Sequence, residues 1–367
     1  MDEHFDITVI MATYNRADML PQALESVLGQ ETNGVSYEVI VVDNNSPDNT
    51  RQVVESFIAQ GHANLRYVFE GKQGVAHARN TALSYARAPL IAFTDDDVRV
   101  APDWVAQIKR SMEEHPEVDC IGGRVLPLWR KDPPAWLTDK HWSPLALTDY
   151  GERFFYTNTD WQLCLVTANL AMRREVFDRI GLFEPVYQRV KDGIGSTEDH
   201  ELQIRLWKAG GQGIYDPRLV VHADVQPERM VKSYHRRWHT GHGRFCSMMR
   251  IAELEAARAR LFGVSSHLYK QAFLNSLRWL KLTLTGNSRM AFTTEIKLRF
   301  FLGYYRQRRS EHLAACQHGL VREVATFVRS LAASGAESRA KTDSPTPDTR
   351  NSQPETRSSQ LETRNLL

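Results

Sequence analysis

The chain has 367 residues, 42% of them hydrophobic and 25% charged, with 46 basic and 44 acidic side chains for a net charge of +2. That composition excludes a wholly disordered, collagenous or disulfide-rich chain, and the length suggests two or three units. The charge is uneven: residues 1–228 carry 22 Lys and Arg against 34 Asp and Glu, whereas residues 229–309 carry 17 against 3.

Along the chain, Ile7–Met11 is a β-branched run without a polar face and predicts a buried strand. Asp18 is a candidate cap for a helix over Met19–Leu28, where Leu20, Leu24, Val27 and Leu28 share helical spacing. Glu38–Val42 predicts a second strand, Thr50–Ala59 a helix, Leu65–Phe69 a third strand, Gly74–Ala86 a helix and Pro89–Thr94 a fourth strand. Strands alternating with helices at this spacing mean an α/β fold with a mostly parallel sheet. Beyond Pro102 the pattern loosens. Gly122-Gly123 reads as a turn, Leu126–Leu137 as a Pro- and Trp-rich loop, Arg173–Ile180 as a helix ended by Gly181, and Gly193–Thr197 as a Gly/Ser loop. Glu198–Ala209 predicts a helix and Leu219–His222 a last strand. Residues 229–333 read as a basic helical extension, and 334–367, rich in Ser, Thr, Pro and Arg, as a disordered tail.

Ligands of open α/β sheets bind beyond the carboxyl ends of the strands. Here those ends carry Thr13-Tyr14-Asn15, Asp43 and Asp95-Asp96-Asp97. Three adjacent carboxylates repel one another unless a cation sits among them, and such oxygens suit Mg2+ or Mn2+ together with a diphosphate; the alternative is a solvated acidic turn. Asp43 offers an acceptor to a base or ribose, or closes an Asx-turn. Tyr14 offers a ring to stack on a base, or covers the sheet edge. No Gly-x-Gly-x-x-Gly follows the first strand, and no Gly-Lys-Ser/Thr phosphate loop exists. Thr197-Glu198-Asp199 opens a helix, either as a cap with acidic first-turn residues or as the source of a general base. The four cysteines, Cys120, Cys164, Cys246 and Cys316, lack metal or disulfide spacing and suit a reducing, cytoplasmic compartment. The acidic start lacks a signal peptide's apolar region, and no run is long and apolar enough to span a membrane.

The blocks ITVIMATYNR, VIVVDNNSPDNT, QGVAHARNTAL, FTDDDV, TANLAMRREVFDRIGLF and TEDHELQIRLWKAGG, closed by Pro217 to His222, stand in the order of the family 2 glycosyltransferases. Over about residues 5–245 the chain resembles that family, which implies a GT-A fold. The expected division is a catalytic domain over 1–228, with a nucleotide-binding half at about 1–100 and an acceptor half at about 101–228. The resemblance also implies a nucleotide-diphosphate sugar donor, a divalent cation, and inverting transfer to a hydroxyl acceptor by direct displacement. By matching position, Thr13, Tyr14 and Asn15 lie at the base and Asp43 reads the ring or ribose. Arg79 and Asn80 lie near the nucleotide, Asp95 near the ribose and metal, Asp97 on the metal, and Asp96 in support. Asp199 matches the general base and Glu198 its neighbour. His222 falls where some relatives place a metal or phosphate ligand, or is a strand-end histidine.

Asn169 lies in the acceptor block, where Thr167 stands in place of a common Gly. Trp129 and Trp136 stack on an acceptor sugar or pin their loop. The expected acceptor is a lipid-linked or growing glycan in polysaccharide biosynthesis. The alternative is a non-catalytic nucleotide-sugar-binding relative, or a basic membrane-associated scaffold.

In the basic extension, Tyr269, Phe273, Leu277, Leu280 and Leu284 share one helical face beside Lys270, Arg278 and Lys281, and Arg306, Arg308 and Arg309 follow. This pattern suits docking on the acidic body or peripheral attachment to an anionic membrane at its cytoplasmic face; nucleic acid is the weakest of the three partners.

Overall fold

The computed structural model describes residues 4–188, 194–195, 197–257, 259–315 and 324–330. The proposed tail over 334–367, Cys316, and Gly193 and Ser196 of the Gly/Ser loop lie outside the described residues. Two compact units separate, one up to Tyr234 and one from His235.

The first unit begins with strict alternation: β1 (Ile7–Thr13), α1 (Leu20–Leu28), β2 (Tyr37–Asp43), α2 (Thr50–Ala59), β3 (Leu65–Phe69), α3 (Val75–Tyr85) and β4 (Leu90–Asp95). It continues with β5 (Val98–Val100), α4 (Trp104–Glu114), β6 (Cys120–Trp129), β7 (Phe155–Thr157), β8 (Leu170–Arg173), α5 (Glu175–Ile180), α6 (Glu198–Lys208) and β9 (Gly213–Val225). One sheet holds all nine strands in the order β3-β2-β1-β4-β8-β6-β9-β5, with β7 also paired to β9. The four leading strands are mutually parallel, as are β6 and β9; β8 runs antiparallel to β4 and β6.

The apolar runs explain this layering. β2 is buried along its whole length and β1 nearly so, because helices cover both faces. Ile7, Val9 and Met11 face a layer built by α1, α2 and α4, where Leu20, Leu24, Phe57, Trp104 and Ile108 are buried. Ile10, Ile40 and Phe93 face the opposite layer, filled by Ala82, Phe177, Leu206 and Trp207 from α3, α5 and α6.

Several boundaries differ from expectation. Asp18 does not cap α1; Met19 holds the cap position in a helical conformation, and the Arg16 carbonyl accepts the N–H groups of Met19 and Leu20. Gly122-Gly123 lies inside β6 rather than in a turn. A Cβ at Gly123 would stand 2.1 Å from the Leu219 carbonyl oxygen, so a glycine lets β6 and β9 close at the register shift between Gly122 and Arg124. β6 also takes in residues 126–129 of the expected loop. β9 begins at Gly213, earlier than the expected Leu219, and holds Pro217 inside the irregular stretch of its pairing with β6.

The second unit contains α8 (Ser266–Leu284), α9 (Ser288–Ala315) and a ribbon pairing Arg260–Leu261 with Val264–Ser265. The unit boundary falls within α7 (Lys232–Met249). Its core includes Phe245, Cys246, Met249, Phe292, Phe300 and Tyr304. α7 meets α9 at a reciprocal pair of glycines: a Cβ at Gly243 would lie 2.1 Å from the Phe300 carbonyl oxygen, and one at Gly303 1.9 Å from that of Thr240. Two residues of the expected basic and apolar surface turn inward instead. Tyr269 donates its hydroxyl to the Leu261 carbonyl, and buried Arg308 pairs with Glu255 and donates to the Gly263 carbonyl. Cys120, Cys164 and Cys246 are free thiols. No helix among the described residues is long and apolar enough to cross a membrane.

Candidate functional site

Register assembles the first cluster. Thr13 pairs with Asp43 and Ala12 with Asp95, so the ends of β1, β2 and β4 lie side by side. Asp43 is buried; its Oδ1 accepts the Ser46 N–H at 2.8 Å, and its Oδ2 accepts the Tyr67 hydroxyl at 2.8 Å. Burial and this bond push the Tyr67 phenol well above its ordinary range. The Asx-turn and an inward-facing acceptor therefore coexist at Asp43. Tyr14 stands exposed at the strand end, and Asn15 takes a left-handed φ of 53° with its N–H donating to Ser46 Oγ at 3.0 Å.

The carboxylate triplet is divided by its partners. Arg16 Nη1 donates to Asp97 Oδ2 at 2.5 Å and to Asp96 Oδ1 at 3.3 Å. Arg229 Nη1 approaches the same Asp97 oxygen at 3.4 Å and donates through Nη2 to the Pro144 carbonyl. Asp96 is buried, and desolvation raises its proton affinity against the pull of Arg16. Arg16 and Arg229 were not among the sequence-derived candidates. The signal for Arg16 is its place at the end of ITVIMATYNR, three residues beyond β1; Arg229 has no comparable signal.

A second cluster forms around Arg79 of α3. Gly74 allows the entry to that helix: its φ of +136° is a glycine conformation, and a Cβ there would sit 2.2 Å from Gln188 Oε1. Arg79 is buried and donates to Glu198 Oε1 at 2.8 Å and to Thr167 Oγ1 at 2.9 Å; Nη2 lies 3.5 Å from Asp95 Oδ1. Thr167 Oγ1 reaches Asp199 Oδ2 at 3.5 Å, and Asp199 Oδ1 accepts the His200 N–H at 2.8 Å. Desolvation pushes the Asp199 carboxyl above the ordinary range, while Arg79 opposes the shift. Thr197 does precede α6 in the cap position, but its side chain makes no capping bond there.

Arg79, Asp95, Glu198 and Asp199 thus meet, with Thr167 between them, whereas other candidates are engaged elsewhere. Asn80 exchanges two hydrogen bonds with the Phe183 backbone. Asn169 is buried, accepts from Trp104 Nε1 and donates to the Arg124 and Leu219 carbonyls, so it braces β6 and β9. Trp129 and Trp136 pack against the core under α1 and α4, and Trp136 stands edge-on to His141. His222 lies on β9 opposite Arg99 and Leu126.

No three His, Cys, Asp or Glu side chains among the described residues converge in a metal-holding group, so His222 is not gathered with Asp95 and Asp97. Two hard carboxylates nevertheless fit Mg2+ or Mn2+, which are commonly held by one or two carboxylates plus substrate phosphates. Two guanidiniums, those of Arg16 and Arg229, balance the Asp97 charge.

A family model described as "Glycosyl transferase family 2" matches residues 8–181. A validoxylamine A glucosyltransferase of Streptomyces hygroscopicus subsp. jinggangensis is 38% identical over 104 residues, covering 28% of this chain and 24% of that protein. A glucosyl-dolichyl phosphate glucuronosyltransferase of Haloferax volcanii is 23% identical over 211 residues, covering 57% of this chain and 65% of that protein. The chain spans less than two thirds of either relative's length. A mannosyltransferase from Pyrobaculum calidifontis, solved in complex with GDP-Man and Mn2+, shares the fold with a TM-score of 0.50 at 20% identity, covering 92% of this chain and 81% of that one.

Proposed function

We propose that this chain is a family 2 glycosyltransferase that moves a sugar from a nucleotide-diphosphate sugar to a hydroxyl acceptor with inversion, a reading supported by the family match over residues 8–181 and by the GT-A fold. One observation carries the reading. Arg79 binds Asp95, at the end of the nucleotide-side strand β4, and Glu198, beside the candidate base on α6, with one guanidinium. Donor-side and acceptor-side carboxylates are therefore held within the reach of a single side chain.

Each residue then has a role. Tyr67 fixes the Asp43 carboxylate toward the base or ribose, and Tyr14 offers its ring to the base. Asp97 and Asp95, with the donor diphosphate, would hold a divalent cation that supplies positive charge to the leaving group. Arg16 and Arg229, which balance Asp97 here, would offer their charge to the diphosphate as well. Asp199 takes the proton of the attacking hydroxyl. Burial strengthens it as a base, and Arg79 opposes that rise. Glu198 has a different task, since its buried pairing with Arg79 makes it a positioning residue. Direct displacement needs no covalent enzyme intermediate.

For the acceptor, similarity to a glucosyl-dolichyl phosphate glucuronosyltransferase supports a lipid-linked saccharide and a place in glycan biosynthesis. The reading is tested by thermal shift with UDP-, GDP- and TDP-sugars, with and without Mn2+. Metal-dependent stabilisation by one donor is expected, and Asp97→Ala should abolish it. Asp199→Asn should keep donor binding and lose transfer by at least about 10²-fold. Full transfer by Asp199→Asn would overturn the assignment of the base. Donor binding with no transfer or donor hydrolysis in the unaltered chain would favour a non-catalytic relative.

A further inference from the structure

We propose that α8 docks the chain on an anionic phospholipid surface through one exposed face. At 100° per residue, Phe273, Leu277, Leu280 and Leu284 fall within about 60° of arc on this helix. Their exposures are 64%, 51%, 50% and 78%, a continuous apolar strip rather than scattered single residues. The opposite side of α8 makes the packing contact: Leu268, Gln271 and Asn275 line a narrow crevice against Phe300 and Tyr304 of α9. The apolar strip is therefore not the seam that holds α8 in place.

Charge identifies the occupant. Lys270 and Lys281 line one edge of the strip, Arg278 lies further round on that side, and Arg289 follows the helix; all four are exposed. No Asp or Glu occurs between Glu255 and Glu295. A purely apolar partner gives these cations nothing to meet. A second copy presenting the same face would bring cations against cations with no carboxylate on either side to answer them, which a two-fold interface penalises. Nucleic acid phosphate would satisfy the cations and leave four large apolar side chains in water. An anionic bilayer answers both features: acyl chains take the strip at the headgroup boundary, and lipid phosphates take the cations. The helix is too charged to insert across the membrane, so the attachment is peripheral.

Flotation of the full chain with vesicles tests this without any sugar donor, so its result is independent of the transfer reading. The chain should float with phosphatidylglycerol-containing vesicles at low salt, not with pure phosphatidylcholine, and should be released by high salt. Each basic side chain near an anionic surface is worth about fivefold in partition. The triple variant Lys270→Gln, Arg278→Gln and Lys281→Gln should therefore bind about a hundredfold less. Phe273→Ser, Leu277→Ser and Leu280→Ser together should also abolish flotation. Both variants alter exposed positions, so both should keep the melting temperature of the unaltered chain. A chain that stays at the bottom of the gradient overturns the proposal. Flotation that survives the serine variant also overturns it, by moving attachment away from α8. A dimer in sedimentation that the serine variant dissolves, with no vesicle binding by the parent, would assign the strip to self-association instead.

Discussion

Arg79→Met is the most informative single change in the site. The Arg79 and Glu198 side chains are 6% and 5% exposed and meet at 2.8 Å. Removing the guanidinium leaves Glu198 as a buried carboxylate without its cation, a change that typically costs about 3–5 kcal/mol. Asp95, the other carboxylate on Arg79, is 32% exposed at 3.5 Å and is largely served by solvent, so its share of the loss is small. For a unit of this size the expected fall in Tm is on the order of 10 °C, followed by circular dichroism at pH 7. The decisive measurement is the double variant Arg79→Met with Glu198→Gln. It removes both charges and should recover most of the lost stability, giving a coupling of about 2 kcal/mol or more in a double-mutant cycle. Transfer should not return with stability, because Arg79 also positions Thr167 and Asp95. A single variant that costs less than about 1 kcal/mol, or a double variant no more stable than the single, would refute the buried-pair reasoning.

Asp199 sets the acid limb of transfer. Burial raises its carboxyl above the ordinary range, the active form is ionised, and kcat/KM should therefore fall with decreasing pH at a higher pH than a solvated aspartate would give. The linkage has the opposite sign for stability: a carboxyl raised in the folded state favours folding below its unfolded value and loses that contribution as pH rises through the folded one, so Asp199→Asn should not destabilise the chain at pH 7. Thr167→Val removes the acceptor of Arg79 Nη2 and a contact to Asp199; kcat should drop about tenfold and the acid limb move upward, read from a pH–rate profile. Gly123→Ala drives a Cβ to 2.1 Å from the Leu219 carbonyl oxygen and should cost about 3 kcal/mol or more by urea unfolding, with an unchanged midpoint disproving the close approach.

The βαβ half of the fold was readable because its strands are continuous apolar runs ended by polar residues, and the register that joins Thr13 to Asp43 and Ala12 to Asp95 follows from parallel pairing. The carboxylates of the site were legible for the same reason, since strand ends and a helix start announce them. Their partners were not. Tyr67 reaches Asp43 from a neighbouring strand, Arg229 reaches Asp97 from 132 residues away, and Thr167 touches Asp199 across 32, contacts that no local pattern encodes. β9 is longer than the expected Leu219–His222, and it accommodates Pro217, a residue that ordinarily argues against a strand, at the irregular pairing with β6. Asn169 belongs to a block that resembles acceptor-binding segments, yet its amide is turned to Trp104 and two backbone carbonyls. Block position alone does not reveal side-chain direction.

The reciprocal glycines of α7 and α9 make that crossing behave as a keyed joint. Elsewhere a helix pair can creep by a fraction of a turn while side chains change rotamer. At Gly243 and Gly303 the main chains themselves are in contact, and a shift of one position would push the side chain of His242 or Arg244, or of Leu302 or Tyr304, into a carbonyl oxygen. The pair therefore has one permitted alignment and transmits displacement without slack. α8, joined to α9 by a few residues and packed along it, inherits that alignment, so the second unit should respond to load as a single stiff bracket.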